Sequence, residues 1–420
     1  MLRNAIAKLG RVHLTQKRVA IFALALGGFG IGLTEFVTFG LLPQIARDVT
    51  PGLFDTDRGE ALSHAGWTVS AYALGVVVGA PTLAVLGARM QKVKLLAFLL
   101  VGLAVGNLLS ALAPSLGLLL VARFLAGIPH GAYFGVAGLL AAEMIGPGAR
   151  SRGLAIVLSG LTIANVVGVP AITRLGQLTS WRLAYVTVAV VFMIAMTIAV
   201  LTLHDPGEAT DSSPRAEFGA LRSRAVWLAV AVAAIGFAGF FAVDSYLVPV
   251  TTHSAHLSSA VAPWVLATVG LGMTVGNAAG GMFADRRPTA SLLGGLVALA
   301  VAMCAFALVA HTTIGLFLTA FAVGATALFM GPPLQALLIR AAPRAVLIGP
   351  ALNQSAMNTA NAIGAFAGGA VLSANLPYTA TGWVGAGLAL GGLALAVIAA
   401  RAMSLSLPAA WPFAARTRPR

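Results

Sequence analysis

Four ionisable side chains lie in stretches of the chain that are otherwise almost free of charge. Glu35 and Asp244 are the two of the twelve acidic residues that fall well inside long apolar segments, and Arg123 is the one basic residue deep in such a segment. His130 follows Arg123 by seven residues, which places the two on nearly the same face of a helix. Burial away from water favours the neutral form of a carboxyl group, so these residues are candidates for binding and passing protons.

The two carboxyl groups have different prospects. A charged side chain at the centre of a membrane costs about 2.5–3.5 kcal/mol on insertion scales, so it generally faces an interior cavity and has a function. Glu35 is therefore a candidate proton carrier, with a structural acceptor for a neighbouring helix as the alternative. Asp244 lies five residues before Pro249. It either shares proton coupling or substrate binding, or reaches the outer interface of the membrane.

The two nitrogen side chains also have alternatives. Arg123 does not deprotonate usefully, so we expect it to pair with a carboxylate or favour its ionised form, and a role in helix packing is the alternative. A neutral His130 could hydrogen-bond a substrate or relay protons. It also follows Pro129, where freed backbone carbonyls need partners, so a structural role is equally open.

Amide side chains and small residues complete the candidate set. Asn358 and Asn361 are three positions apart and share a helix face, as do Gln354 and Asn358 at four apart. They could line a cavity or make interhelical hydrogen bonds.

An earlier segment joins small residues to a further amide. Gly160, Gly168 and Pro170 are candidates for a mechanical role in close packing and bending, and Asn165 between them is a further cavity candidate.

The elements that must position these residues are membrane-spanning helices. The 420-residue chain is 59% hydrophobic and 9% charged, with a mean hydropathy of +0.93. A soluble domain carries roughly 25% charged residues. Long apolar runs instead predict twelve spans. They are expected near residues 19–42, 66–87, 94–112, 116–142, 153–173, 182–203, 225–249, 261–284, 289–310, 314–339, 349–373 and 382–402.

Basic residues set the expected orientation. With twelve spans, 21 of the 26 Lys and Arg fall at the termini or in connections on the same side, and 4 fall on the other. This bias predicts that both termini are cytoplasmic. It also explains the net charge of +14 without a nucleic-acid partner, since the basic residues are scattered between apolar blocks.

A charged stretch divides the chain into two blocks of six helices. Residues 204–224 predict a cytoplasmic linker between an N-terminal bundle, 1–203, and a C-terminal bundle, 225–420, which ends in a short basic tail. A duplicated arrangement of this kind implies a central cavity, with substrate bound near the middle of the bilayer.

Several motifs resemble the major facilitator superfamily, in particular its drug:proton antiporter branch of arabinose, purine-nucleoside and chloramphenicol exporters. The opening motif of that branch is similar to Gly32–Pro43, and its fourth-helix motif to Arg123–Gly135. The fifth-helix motif associated with antiporters resembles Gly160–Pro170, and Ser180–Arg182 resembles the start of the sixth helix. The resemblance implies the all-α fold of that family and a relay role for Arg123. It also implies that the fifth-helix motif seals against its symmetry mate.

One departure concerns the loop between the second and third helices. The family usually carries an Asp before the Arg in this loop, whereas Ala88 precedes Arg89 here. The matching place in the second half keeps Asp285 before Arg286. We therefore expect Arg89, Asp285 and Arg286 to act in gating, with an altered gate in the first half.

Other classes of protein lack support in the sequence. No Walker motif, no metal-ligand spacing and no cofactor motif is present, and Cys304 is the one cysteine. The first apolar block is too long for a signal peptide and is expected to be a retained helix.

The sequence thus predicts a multi-pass transporter of a bacterial inner membrane that is monomeric and not an enzyme. We expect a small-molecule substrate, protons and the lipid bilayer as its partners, and proton-coupled export of a drug, sugar or nucleoside by alternating access. The alternatives are a proton-coupled importer of a sugar or other small solute and, in a different class, a membrane-embedded enzyme or sensory scaffold.

Overall fold

Twelve long helices make up most of the computed structural model, which describes residues 2–87, 90–146, 150–203, 222–341 and 348–406. The six of the first bundle are Leu2–Val49, Arg58–Leu86, Lys92–Leu112, Leu116–Ile145, a composite of Arg150–Ile163, Ala164–Gly168 and Val169–Leu178, and Trp181–Thr202. The second bundle opens with a composite of Arg224–Gly236, Ala238–Asp244, Leu247–Pro249 and Val250–Ser254. It continues with Ala262–Arg286, Pro288–Val309, the pair Thr313–Phe329 and Gly331–Ala341, Ile348–Ser373 and Thr381–Ser406. We call these the first to twelfth spans.

Length and composition fit a membrane for almost all of them. Eleven helices of the described residues are long and apolar enough to cross a bilayer. The remaining long helix is the eleventh span, Ile348–Ser373, whose 26 residues include Asn353, Gln354, Asn358 and Asn361. It packs inside the bundle against the second span, which gives these amide groups a protein environment. The twelve-helix fold expected from the sequence is confirmed.

Several predicted boundaries were wrong, most clearly those of the first two spans, and the helix of the first begins at Leu2 instead of residue 19. The first span was expected to end at residue 42, yet its helix runs through Pro43 to Val49. A proline removes a single helical hydrogen bond, and surrounding helices can compensate for that loss. The second span begins at Arg58, where the Asp57 carboxylate caps it by accepting from the Glu60 backbone N–H at 2.9 Å. Its charged first turns hid this start from a hydropathy reading that began at 66.

Two spans depart from regular α-helix. The fifth contains a π-helical turn, Ala164–Gly168, directly before Pro170. Proline has no N–H to bond the carbonyl four residues earlier, and its ring crowds that carbonyl, so the wider turn relieves the conflict. The seventh is interrupted after Asp244, where Ser245 and Tyr246 lie outside the helical segments.

Glycine lets the same pairs of helices approach closely in both bundles. Gly75 and Gly79 of the second span lie against the backbone carbonyls of Phe124 and Ile128 in the fourth. In the second bundle, Gly272, Gly276 and Gly280 of the eighth span lie in the same way against carbonyls of the tenth. Small residues four positions apart are typical of tight helix contacts in membranes.

A second pairing repeats as well. Gly160 of the fifth span packs on the backbone of Ala25 in the first, and Gly364 and Gly368 of the eleventh pack on the carbonyls of Ala238 and Ala242 in the seventh. The bundles meet where the second span packs on the eleventh and the fifth packs on the eighth. These matched contacts support two related halves. The predicted linker, 204–224, lies almost entirely outside the described residues.

The start of the sixth span ties three helices together at one end of the bundle. Arg182 forms an ion pair with Asp48 of the first span at 2.8 Å and donates to the carbonyls of Ala111 and Ala113 at the end of the third. Trp181 Nε1 donates to the same Asp48 carboxylate at 3.0 Å. The Ser-Trp-Arg motif therefore has a structural role in these contacts.

The Gly160 contact generates a stability prediction. Replacing a helical glycine by alanine ordinarily favours the helix by about 1 kcal/mol. At Gly160 the added methyl group would meet the backbone of Ala25 and Phe29, and overpacking of this kind costs about 1–3 kcal/mol. Gly160→Ala should therefore lower the thermal unfolding midpoint of the purified protein.

Gly135→Ala is the matched control, because Gly135 lies in the fourth span with open space where its methyl group would stand. It should leave the midpoint unchanged or raise it. Equal midpoints for the two variants would show that the close approach at Gly160 is unimportant.

Candidate functional site

The first span carries Glu35 into the contact region between the bundles. Its side chain is 7% exposed, and its Oε1 accepts a hydrogen bond of 3.4 Å from Asn361 Nδ2 of the eleventh span. Asn361 itself is fully buried. The predicted carboxyl and one of the predicted amides thus meet across the boundary between the two halves.

Arg123 is fully buried and binds the residue next to Glu35. Its Nη1 donates to Thr34 Oγ1 at 3.1 Å, and its Nη2 donates to the Thr34 carbonyl at 2.9 Å. The Thr34 hydroxyl in turn donates to Asn107 Oδ1 of the third span at 2.7 Å. One threonine therefore joins the first, third and fourth spans.

Aromatic rings surround the guanidinium of Arg123. Its Cζ lies 4.2 Å from the ring centroid of Tyr72 and 5.3 Å from that of Tyr185. Such contacts stabilise a desolvated cation, because the face of an aromatic ring is electronegative. The Tyr185 hydroxyl is itself fixed by a 2.6 Å hydrogen bond with Thr38 Oγ1 of the first span.

Among the described residues, no ion pair joins Arg123 to a carboxylate. Arg123 is nevertheless close enough to Glu35 for electrostatic interaction. Its Nη1 and Nη2 donate to Thr34 instead, and its Nε is buried without a partner. Arg123 was predicted to pair with a carboxylate. In the structure it bonds Thr34, and Glu35 is a nearby charge without a direct bond to it.

His130 connects the fourth span to two others. Its Nδ1 lies 3.0 Å from the Tyr72 hydroxyl, and its Nε2 lies 2.9 Å from Gln354 Nε2 of the eleventh span. An amide nitrogen can only donate, so His130 Nε2 accepts and the ring proton sits on Nδ1 with the Gln354 amide oriented in this way. A doubly protonated ring would set its Nε2–H against the amide N–H of Gln354, so this orientation of the amide suits a neutral imidazole.

Three polar atoms along the eleventh span are buried without a hydrogen-bond partner. They are Ser355 Oγ, Asn358 Oδ1 and Asn361 Oδ1. The Asn358 amide nitrogen donates to the carbonyl of Gln354 at 3.1 Å, so its oxygen is the group left free. Because an unpaired buried polar atom costs about 1–3 kcal/mol, these atoms are candidates for binding a donor that comes and goes.

Asp244 lies in the interior of the helical bundle. It is 3% exposed, at the end of the helical segment Ala238–Asp244, and it is close enough to Glu35 for the two carboxyl groups to interact electrostatically. The adjacent Ser245 Oγ is buried without a partner. The broken seventh span thus brings the second predicted carboxyl close to the first.

The mechanical candidates divide between two partners. Gly168 packs on Phe29 and Leu33 of the first span, and Gly160 packs on the same span. The backbone of Asn165 lies against Gly270 of the eighth span. The fifth span thus uses its glycines within its own bundle and its π-helical turn across the boundary. Asn165 is 5% exposed and has no recorded hydrogen bond to the other candidate groups of the described residues.

The side chains of the predicted gating residues are not among those that the structure describes. Arg89 lies outside the described residues. The side chains of Asp285 and Arg286 are also outside them, although the helix of the eighth span extends to Arg286. Their role stays a prediction.

Sequence reasoning missed Thr34, Tyr72, Tyr185 and Asn107. Each is a polar residue in an apolar span, and that signal was available in the sequence. What the sequence could not show is that Tyr72 touches both Arg123 and His130, because those contacts depend on how the second and fourth spans pack.

Thr34→Val tests the network around Arg123. Valine keeps the shape of threonine but removes the hydroxyl that accepts from Arg123 and donates to Asn107. Leaving such buried groups unpaired costs about 1–3 kcal/mol. We expect a lower thermal unfolding midpoint in detergent.

Thr162→Val is the matched control, since that hydroxyl bonds only the Leu158 carbonyl of its own helix and is exposed. A midpoint that falls as far in this control as in Thr34→Val would mean that the interhelical network adds no stability.

Comparison with known proteins places this chain in a family. The model of the Major Facilitator Superfamily matches residues 24–349. The "Inner membrane transport protein YdhP" of Escherichia coli strain K12 is 35% identical over 373 residues, which cover 88% of this chain and 94% of that protein. The "Putative transporter AraJ" of the same strain is 35% identical over 361 residues, with 85% and 89% covered. The "Chloramphenicol resistance protein" of Streptomyces lividans is 30% identical over 364 residues, with 86% and 89% covered.

Solved structures share the fold. A bacterial homologue of the human lysosomal transporter Spinster, inward-facing and unoccupied, aligns with a TM-score of 0.64 at 17% identity and covers 92% of this chain and 96% of its own. The human organic anion transporter MFSD10 aligns with a TM-score of 0.65 at 17% identity, with 90% and 99% covered. At these identities the likeness shows the fold alone. The family match and the curated relatives show that this chain is a multi-pass membrane transporter of the major facilitator superfamily.

Proposed function

We propose that this transporter is a proton-coupled antiporter that exports small molecules by alternating access. The observation that supports it best is Glu35, a buried carboxyl group whose hydrogen bond reaches across the two bundles. A group in this position can bind a proton from one side and release it to the other when the bundles rock. Its protonation would change the interaction between the halves directly.

In this proposal Arg123 and Asp244 act on Glu35 with opposite charge. A guanidinium attracts an ionised carboxylate, and a second carboxylate repels it. Since Asp244 belongs to the second bundle, its effect on Glu35 depends on how the bundles are arranged. Movement between them would therefore alter proton binding, which is what coupling requires.

Contacts at one end of the molecule support alternating access. Gln177 Nε2, near the end of the fifth span, donates to the Ser259 carbonyl before the eighth at 3.0 Å. At the same end, Gly59 of the second span packs on the carbonyl of Leu372 in the eleventh. In this proposal, which follows the bias of basic residues, this end faces outside and both termini lie in the cytoplasm of a bacterial cell. In this proposal the structure is closed towards the outside.

The substrate in this proposal is a small molecule of low charge. Of the described interior groups, Arg123 is the cation; its Nη1 and Nη2 are bonded to Thr34, and its Nε is buried without a partner. An anionic substrate would need several cationic partners in the cavity. Relatives named for chloramphenicol resistance and probable sugar efflux suggest drugs and sugars as classes to test, with nucleosides beside them. The working unit in this proposal is a monomer.

Glu35→Gln tests the proton-carrier role. Substrates are first sought by thermal-shift screening of sugars, nucleosides and amphenicols, since a bound ligand stabilises the folded state. Transport is then measured in proteoliposomes with and without an imposed pH gradient. Glutamine keeps the shape and hydrogen bonding of Glu35 but cannot carry a proton, so stimulation by the gradient should disappear while substrate exchange persists.

Glu60→Gln is the matched control, because its side chain is 45% exposed at the start of the second span. It should keep gradient-driven transport. Full stimulation in Glu35→Gln would refute the carrier role, and accumulation along the direction of proton entry would identify an importer.

A further inference from the structure

The side-chain amide of Asn361 has one polar atom bonded to Glu35 and one left over. Its Nδ2 donates to Glu35 Oε1 at 3.4 Å, and its Oδ1 is buried without a partner. The residue is fully buried, so water does not satisfy that oxygen in this arrangement. A donor on one side and an unused acceptor on the other make the amide able to bond two different chemical states of its neighbour.

The hydrogen-bonding inventory of a carboxyl group changes when it binds a proton. An ionised carboxylate accepts and cannot donate, whereas a carboxylic acid carries an O–H donor. Facing a carboxylate, an amide presents its NH₂. Facing the O–H of a carboxylic acid, the same amide can present its carbonyl oxygen after a half-turn about its terminal side-chain bond.

We propose that Asn361 reads the protonation state of Glu35, donating to the carboxylate and accepting from the acid, and turns its other polar atom towards the substrate. This inference rests on the proposed function, because it assigns a partner to the proton that Glu35 carries. It gives Asn361 a positioning and coupling role. The proton bound to the carboxylate oxygen comes from solution and returns there.

The helix around Asn361 is held so that its side chain turns and its backbone stays. Ser70 Oγ of the second span donates to the Ala362 carbonyl at 3.1 Å, and the Tyr246 hydroxyl of the seventh donates to the Ala365 carbonyl at 2.8 Å. Gly364 packs closely on the seventh span between them. These contacts with two neighbouring spans fix the backbone of the eleventh span in the four residues that follow the amide.

Other charged or titratable groups interact electrostatically with Glu35. They are Arg123 of the fourth span, Asp244 of the seventh and Tyr72 of the second. The Nη1 and Nη2 of Arg123 donate to Thr34, its Nε has no partner, and the Tyr72 hydroxyl bonds His130. In the described part of the chain, the hydrogen bond recorded for the Glu35 carboxyl comes from Asn361.

This arrangement identifies the chemistry of the substrate. With Glu35 ionised, Asn361 Oδ1 is free, and Asn358 Oδ1 and Ser355 Oγ continue the row of free polar atoms along the same helix face. Together they suit a neutral molecule that offers O–H or N–H donors. When Glu35 binds a proton, the Asn361 oxygen is taken by the acid and the substrate loses an acceptor, so proton binding favours substrate release.

Infrared difference spectroscopy between acidic and alkaline pH tests this pairing without a substrate, with protons as the probe. Glu35→Gln identifies the C=O stretching band of protonated Glu35 in the purified protein by removing it. Asn361→Leu keeps the size of the side chain but removes both polar atoms. We expect it to move the Glu35 band to higher wavenumber and shift the midpoint pH of its titration.

Two further variants distinguish the proposed hydrogen-bonding role of Asn361 from a general effect on packing. Asn358→Leu removes an amide that does not bond Glu35 and should leave the band and its midpoint unchanged. Asn361→Ser offers a hydroxyl that can both donate and accept, and it should restore part of the wild-type band position. It also serves if Asn361→Leu does not fold.

The outcomes distinguish this inference from the proposed function. A Glu35 band that is present but identical in wild type and in the Asn361 variants overturns the reader role and leaves the carrier role standing. A protein in which Glu35→Gln removes no band contains no protonated Glu35, and that result overturns both. A band shifted as far by Asn358→Leu as by Asn361→Leu also overturns the specific role of Asn361.

Discussion

The burial of a few charges in an otherwise apolar interior is the constraint on which this structure depends. Glu35 and Arg123 lie next to one another in space but do not form the ion pair that would satisfy both at once. The hydroxyl and carbonyl of Thr34 accept hydrogen bonds from Nη1 and Nη2 of Arg123, and tyrosine rings cover the face of the guanidinium. Glu35 is thereby left with a long hydrogen bond to a single amide, which suits a group that must gain and lose a proton.

Close helix packing makes this polar interior possible. Glycines bring the first span against the fifth and the second against the fourth, with backbones in contact. Thr34, Tyr72 and Arg123 can reach each other because those spans are near. The eleventh span then supplies Gln354 to His130 and Asn361 to Glu35 from the other bundle. These two hydrogen bonds come from one helix, so a movement of that helix would break or reform them together.

Much of the fold could be predicted from the sequence, because apolar runs and the placement of basic residues are local properties. The candidates Glu35 and Arg123 could also be found, since a charge in an apolar span is conspicuous. The break after Asp244 was not predicted, although Pro249 marks it: proline has no N–H to bond the Ser245 carbonyl four residues earlier. What the sequence could not show is the bond from the Tyr246 hydroxyl to the eleventh span, which depends on tertiary packing.

Pairings across the chain were equally hidden. His130 and Gln354 are 224 positions apart, and residue type does not show which amide faces which imidazole. The role of the Thr34 carbonyl was also out of reach, because every residue has one. The sequence predicts a packing role for the glycine motif of the fifth span but not its partner. Gly160 and Gly168 pack on the first span, which only the packed structure reveals.

Protonation of Glu35 should change the arrangement of the bundles, and the distance between them is the most direct measure of that claim. Spin labels at Gly52→Cys of the first bundle and Ala260→Cys of the second, both exposed at the closed end, report this distance once Cys304 is replaced by serine. We predict that the distance distribution in lipid nanodiscs shifts between acidic and alkaline pH, and that Glu35→Gln removes the shift. The same shift in Glu35→Gln would contradict the account.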